Sequence, residues 1–166
     1  TPVERKGSRE TDEPNPTGDY AMSCLGRERI FQHFSEVNGT PVVLIRLNYA
    51  IEPRYGVLVD LAQTIWAEDP VDLSMSHFNC IWQPSANAKI LQSLTLASSP
   101  AEILNVVGPE TLRIRDVAEK MGRMMNKAVT FSGTEAPDAL LSNGNKMFST
   151  LGKPEVSIKE MVAWIT

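Results

Sequence analysis

The sequence predicts an α/β fold built on a parallel sheet, and three observations carry that prediction. First, Pro41-Val-Val-Leu-Ile-Arg-Leu47 and Ile103-Leu-Asn-Val-Val107 are apolar runs of strand length without alternation, the pattern of strands covered on both faces. Second, apolar residues recur at helical spacing between and after these runs: Leu58, Leu61, Ala62 and Ile65, then Ile114, Val117, Ala118, Met121 and Met125. Strands that alternate with helices need crossover connections, so the paired strands run parallel. Third, 166 residues at 42% hydrophobic content give one ordinary domain with enough apolar mass for a core.

In chain order, residues 1–17 are charged and proline-rich without periodicity, which reads as a loop or flexible leader. A helix is expected from about Asp19 to Val37, with Leu25, Ile30 and Phe34 among its apolar positions and Asn38-Gly39 stopping it. The strand at 41–47 follows, then a helix over 57–67, a strand over 71–75 after Asp69-Pro70 and another over 77–82. Residues 85–97 read as a helix that buries Ile90, Leu91 and Leu94. The strand at 103–107 ends at Gly108-Pro109, a helix runs over 111–125, and 128–131 is a closing strand. A short helix is expected within 140–151, before Gly152-Lys-Pro154. The last helix opens on Ser157-Ile-Lys-Glu160, a capping box whose two side chains satisfy backbone donors that a helix start leaves unpaired.

Charge and cysteine content exclude several functions. A net charge of -4 offers no electrostatic footprint for nucleic acid or for an anionic membrane. No apolar run approaches the roughly 20 residues needed to cross a bilayer, and Thr1-Pro-Val-Glu-Arg-Lys6 lacks an apolar signal region. Cys24 and Cys80 are too few for a disulfide framework, so a reducing cytoplasm is the simplest home. A zinc site from Cys24, His33, His77 and Cys80 is not expected, because Cys24 and His33 stand nine residues apart on one helix and point different ways. Most simply Cys24 is a semi-buried thiol, His33 lies on the helix surface and Cys80 is core. Arg115-Asp-Val-Ala-Glu-Lys-Met-Gly122 could open a helix-turn-helix, but the strand-like Ala128-Val-Thr-Phe131 stands where the reading helix belongs.

The chemistry-bearing segment is Tyr20-Ala-Met-Ser-Cys24-Leu-Gly-Arg-Glu-Arg-Ile30, at the start of the first helix. A phenol with an ordinary pKa of about 10 is only about 0.1% ionised at neutral pH, so proton transfer through it needs a nearby positive charge. A lysine four residues on would share its helix face. The segment resembles the extended branch of the short-chain dehydrogenase/reductase superfamily, the sugar-nucleotide epimerases and dehydratases, whose motif is tyrosine, three residues, lysine. Here Cys24 stands at the lysine position. The order of elements resembles that family too, with Ile103-Leu-Asn-Val-Val107 at a late sheet strand and Leu151-Gly-Lys-Pro154 at a helix ending in Leu-Gly-x-Pro.

The resemblance covers about residues 12–166 and implies the C-terminal half of a Rossmann-like, doubly wound fold with a small substrate-binding subdomain over 18–166. No Gly-x-Gly-x-x-Gly occurs anywhere, so the dinucleotide-binding half is expected to lie outside this chain. By resemblance, the full-length protein is an NAD(P)-dependent enzyme acting on a sugar nucleotide or related hydroxyl substrate. Tyr20 is its acid/base, Arg46 and Asn48 lie near the substrate, and no metal is involved. The resemblance also admits a homodimer, and it implies that the isolated chain is inactive. Two departures stand out: Asn48 comes one position early, and Gln83-Pro84-Ser85 lacks the usual acid. Arg27 and Arg29 are nearby cations, neither of them one turn from Tyr20 on its face. A thiol supplies no positive charge, so a non-catalytic module that binds a sugar nucleotide or a partner is the alternative.

Overall fold

The computed structural model describes residues 1–166. Helix α1 (Gly18–Asn38) leads into β1 (Val43–Leu47) and the short β2 (Ala50–Ile51), followed by α2 (Val57–Trp66), β3 (Val71–Asp72), β4 (His77–Phe78), β5 (Ile81–Trp82) and α3 (Gln83–Gln92). Then come β6 (Glu102–Val106), β7 (Leu112–Arg113), α4 (Ile114–Met125), β8 (Phe131–Ser132), α5 (Asn145–Leu151) and α6 (Ile158–Ile165).

The two apolar runs become the two longest strands and pair in parallel, Val43 opposite Glu102 through Leu47 opposite Val106. β2 pairs in parallel with β5, β3 in parallel with β8, and β4 antiparallel with β7. This is the expected α/β arrangement: parallel strands joined by long crossovers that carry helices. One core lies under the β1–β6 pair and contains Ile81, Ala86, Leu104, Val106 and Met147. A larger one joins α2, α4 and α6 through Leu58, Ile65, Phe78, Met121 and Val162, with the α2 and α4 faces the spacing predicts turned inward. Ser157 and Glu160 form the predicted capping box at the start of α6. No helix is long and apolar enough to cross a membrane.

Two local expectations are corrected by the tertiary structure. In α3, which ends at Gln92, the buried positions are Ala86 and Lys89, while Leu91 and, beyond the helix, Leu94 are 70% and 67% exposed. Two contacts set this phase: Ala86 is small enough to pack on the β1–β6 core, and Lys89 Nζ donates to the Leu151 carbonyl at the end of α5 (2.6 Å). The strand expected over 77–82 breaks at Asn79 and Cys80, because the Asn79 side chain turns to the 142 loop, donating to the Ser142 carbonyl (2.7 Å). The short helix expected within 140–151 occupies Asn145–Leu151, and before it Leu141 and Asn143 bond to Ser8, through Ser8 N to Leu141 O and Asn143 N to Ser8 O, both 2.9 Å. Those bonds, with Val3 N to Pro137 O and Ala139 N to Thr1 O, join the leader to residues 137–143.

Helix α1 is the unusual element. Gly39, at φ 65°, takes the left-handed conformation that ends it, as Asn38-Gly39 predicts. Ser35 is its only buried residue, while Met22, Ile30, Phe31, Phe34 and Val37 are all exposed. So much apolar surface on one helix favours association. The isolated chain is therefore expected to self-associate, seen as scattering mass that rises with concentration; a monomer at every concentration refutes it.

Candidate active site

Tyr20 sits in the first turn of α1, and the helix crosses beside β1. Between them runs a groove of about 700 Å³ walled by Pro14–Pro16, by Tyr20, Cys24, Arg27, Glu28 and Phe31 of α1, and by residues 42–47. β1 has β6 on one edge and no strand on the other, so the groove ends on an open sheet edge. Tyr20 stands at its mouth, 83% exposed. Cys24 is half-buried one turn on, and Arg27 donates to its Sγ from Nη2 at 3.7 Å.

Arg46 also lines the groove, but its donors are engaged. Nε and Nη2 grip the Glu28 carboxylate at 3.0 and 2.5 Å, and Nη1 reaches the Glu10 carbonyl at 3.3 Å. This bidentate, half-buried pair braces α1 against β1. Asn48 lies outside the groove: its Nδ2 donates to Asn79 Oδ1 and its Oδ1 accepts from Tyr49 N (2.9 Å). The structure thus brings Tyr20, Cys24 and Arg46 together and leaves Asn48 in a separate polar clamp.

Sequence reasoning set Arg27 aside and missed Glu28, Phe31 and Glu10. Arg27, Glu28 and Phe31 were legible: with Tyr20 and Cys24 they fall at three-, four- and seven-residue spacings, one stripe of a helix. Glu10 was not. Its Oε1 accepts from Asn105 N (2.9 Å), and Asn105 Nδ2 in turn donates to the carbonyls of Ser8 (2.9 Å) and Asn143 (3.0 Å), so buried Asn105 fastens the leader to β6.

The other titratable groups are structural. Burial, with the nearby Glu110 charge, pushes the Cys80 thiol up to about 12, so it is inert at neutral pH. His33 is exposed on α1. Ser76 Oγ gives its proton to the Ala136 carbonyl (2.6 Å), so His77 Nδ1, 2.9 Å away, must donate to that oxygen and cannot serve as its base. The Glu135 carboxyl is held below the usual carboxylate range by hydrogen bonds from Arg113 and Arg115. Because the folded state depresses this group, its contribution to stability is present above the unfolded value of about 4.3 and is lost as pH falls through the folded value. Urea midpoints of wild type and Glu135→Gln should therefore differ at neutral pH, and the difference should shrink as the pH is lowered below about 4.3; an unchanged gap in acid counts against the linkage.

No protein-family model matches the chain, and no curated protein matches it. Solved structures do. UDP-glucuronic acid 4-epimerase from Bacillus cereus, in complex with NAD, superposes with a TM-score of 0.79 at 16% identity, over 94% of this chain and 53% of that one. RMD from Pseudomonas aeruginosa, complexed with NADPH, gives 0.78 at 19% over 96% and 58%. UDP-glucose 4-epimerase from Thermus thermophilus, with NAD, gives 0.78 at 19% over 98% and 57%. The chain spans a little over half the length of these enzymes. Its fold is that of a little over half of each of these NAD- or NADPH-bound proteins.

Proposed function

We propose that residues 18–166, with the leader 1–17 packed beside them, form the tyrosine-bearing part of an NAD(P)-dependent epimerase/dehydratase that acts on a sugar nucleotide or a related hydroxyl substrate. The observation that carries this is Tyr20 in the first turn of α1, at the mouth of a groove on the open edge of β1, within a fold shared with enzymes solved in complex with NAD or NADPH. Toward the cofactor the groove supplies a phenol hydroxyl and an apolar strand, which suit the nicotinamide-ribose end. The pyrophosphate needs a glycine-rich turn at a helix start, which the other half of the protein must provide.

NAD(P), when bound, would supply the hydride acceptor. The groove residues do the rest. Tyr20 Oη takes the hydroxyl proton as the substrate is oxidised and returns it on reduction. The Glu28–Arg46 pair holds α1, and with it the phenol, at a set height above β1. Cys24 favours one other reading, a binding module of the same fold, because a thiol lacks the charge that activates the phenol.

Full-length protein mixed with NAD or NADP and a panel of nucleotide sugars tests the proposal through calorimetric cofactor binding and the absorbance of reduced nicotinamide. Micromolar binding with sugar-dependent reduction is the expected result, and weak or no binding by the isolated chain. A full-length protein that binds neither dinucleotide sinks it.

A further inference from the structure

The groove holds two guanidinium groups and one carboxylate. Glu28 is fully engaged by Arg46, which leaves Arg27 without an ion pair; its one side-chain partner is the thiol of Cys24. Arg27 lies seven residues beyond Tyr20, two helical turns, and so returns to the same face, where single-turn spacing does not find it. Long helical side chains lean toward the helix N-terminus. Arg27 follows that rule: its Nη2 reaches back to Sγ of Cys24, three residues earlier and one turn from the phenol. Arg29 differs, since its Nη1 bonds Gln32 (3.2 Å) and it takes no part in the groove wall.

We propose that Arg27 is the cation of this site, reaching back to Cys24 to place positive charge one helical turn from Tyr20, in the position that a thiol leaves without any. The inference rests on the acid/base reading of Tyr20. A guanidinium stays protonated throughout the working range, so Arg27 relays no proton; it favours the ionised phenol electrostatically and is a positioning residue. Cys24 then has a use of its own. It is small, uncharged and a weak acceptor, so it admits the guanidinium where a lysine would repel it. The charged groups facing this point are Arg27 and Glu28 from α1 and Arg46 from β1, the last two neutralising each other.

The test uses the full-length protein and compares four variants with wild type: Tyr20→Phe, Arg27→Gln, Arg27→Lys and the double variant Cys24→Lys/Arg27→Gln. Arg27→Gln should lower kcat about tenfold or more and move the pH-rate profile about one unit to the alkaline side, with KM for the substrate little changed. Arg27→Lys should recover part of the rate. The double variant should recover more and bring the profile back, because it moves the cation one turn closer; a purely structural role for Arg27 would lower the rate of Arg27→Gln without moving its pH profile. Arg27 is exposed on the helix, and a thermal melt of each variant confirms that folding is retained. Wild-type rate and profile in Arg27→Gln beside an inactive Tyr20→Phe overturn the role of Arg27 and leave the acid/base reading standing. Full activity in Tyr20→Phe removes both.

Discussion

Tyr20→Phe in the full-length protein is expected to lower turnover by about 10²-fold or more while leaving cofactor affinity nearly unchanged. The substitution removes one oxygen from a side chain that is 83% exposed and makes no side-chain hydrogen bond, so it costs the fold little. What it removes is the hydroxyl to which the proposed function gives the proton transfer. Initial rates against substrate, with cofactor binding by calorimetry, separate the two quantities. Cys24→Lys adds a second reading of the same site, since an ammonium one turn from the phenol should draw an alkaline pH optimum toward neutrality. A wild-type rate in Tyr20→Phe ends the acid/base assignment and makes the binding module the better account.

Gly108→Ala is expected to be the most damaging small substitution in the chain. A methyl there would lie 1.8 Å from the Cys80 carbonyl oxygen and 3.0 Å from its carbon, both backbone atoms that no rotamer change can move aside. Buried Val106 and Val107 lead into Gly108, and buried Cys80 and Ile81 face it, so the end of β6 and the β4–β5 connection would have to separate. Overpacking of this kind should cost about 3 kcal/mol or more, read as a lowered urea midpoint. Gly39→Ala is the matched control: a methyl there meets nothing within 4 Å, so only its positive φ is strained and the loss should be about 1 kcal/mol. Equal midpoints for the two variants would show that the close approach at Gly108 carries no weight.

The α/β class, the strands within 41–47 and 103–107 as members of a parallel sheet, the inward faces of α2 and α4 and the capping box were legible in the sequence. Each rests on periodicity or on residues close along the chain, and local spacing encodes such features directly. The placement of Tyr20 in a helix beginning near Asp19 was legible for the same reason, and so was the stripe that joins it to Arg27. Only the tertiary structure decided the rest. Leu91 and Leu94 look like core by composition, yet the phase of α3 is set by Lys89 reaching the end of α5, sixty-two residues away. Asn79 breaks a strand to serve the 142 loop, and the leader is held by residues 137–143 at the far end of the chain. The resemblance implies a substrate role for Arg46, while Glu28 from a different element takes its donors. Hydrogen bonds and ion pairs between distant segments leave no period in a sequence, because which donor meets which acceptor depends on how the elements pack, and that is settled only when the chain has folded.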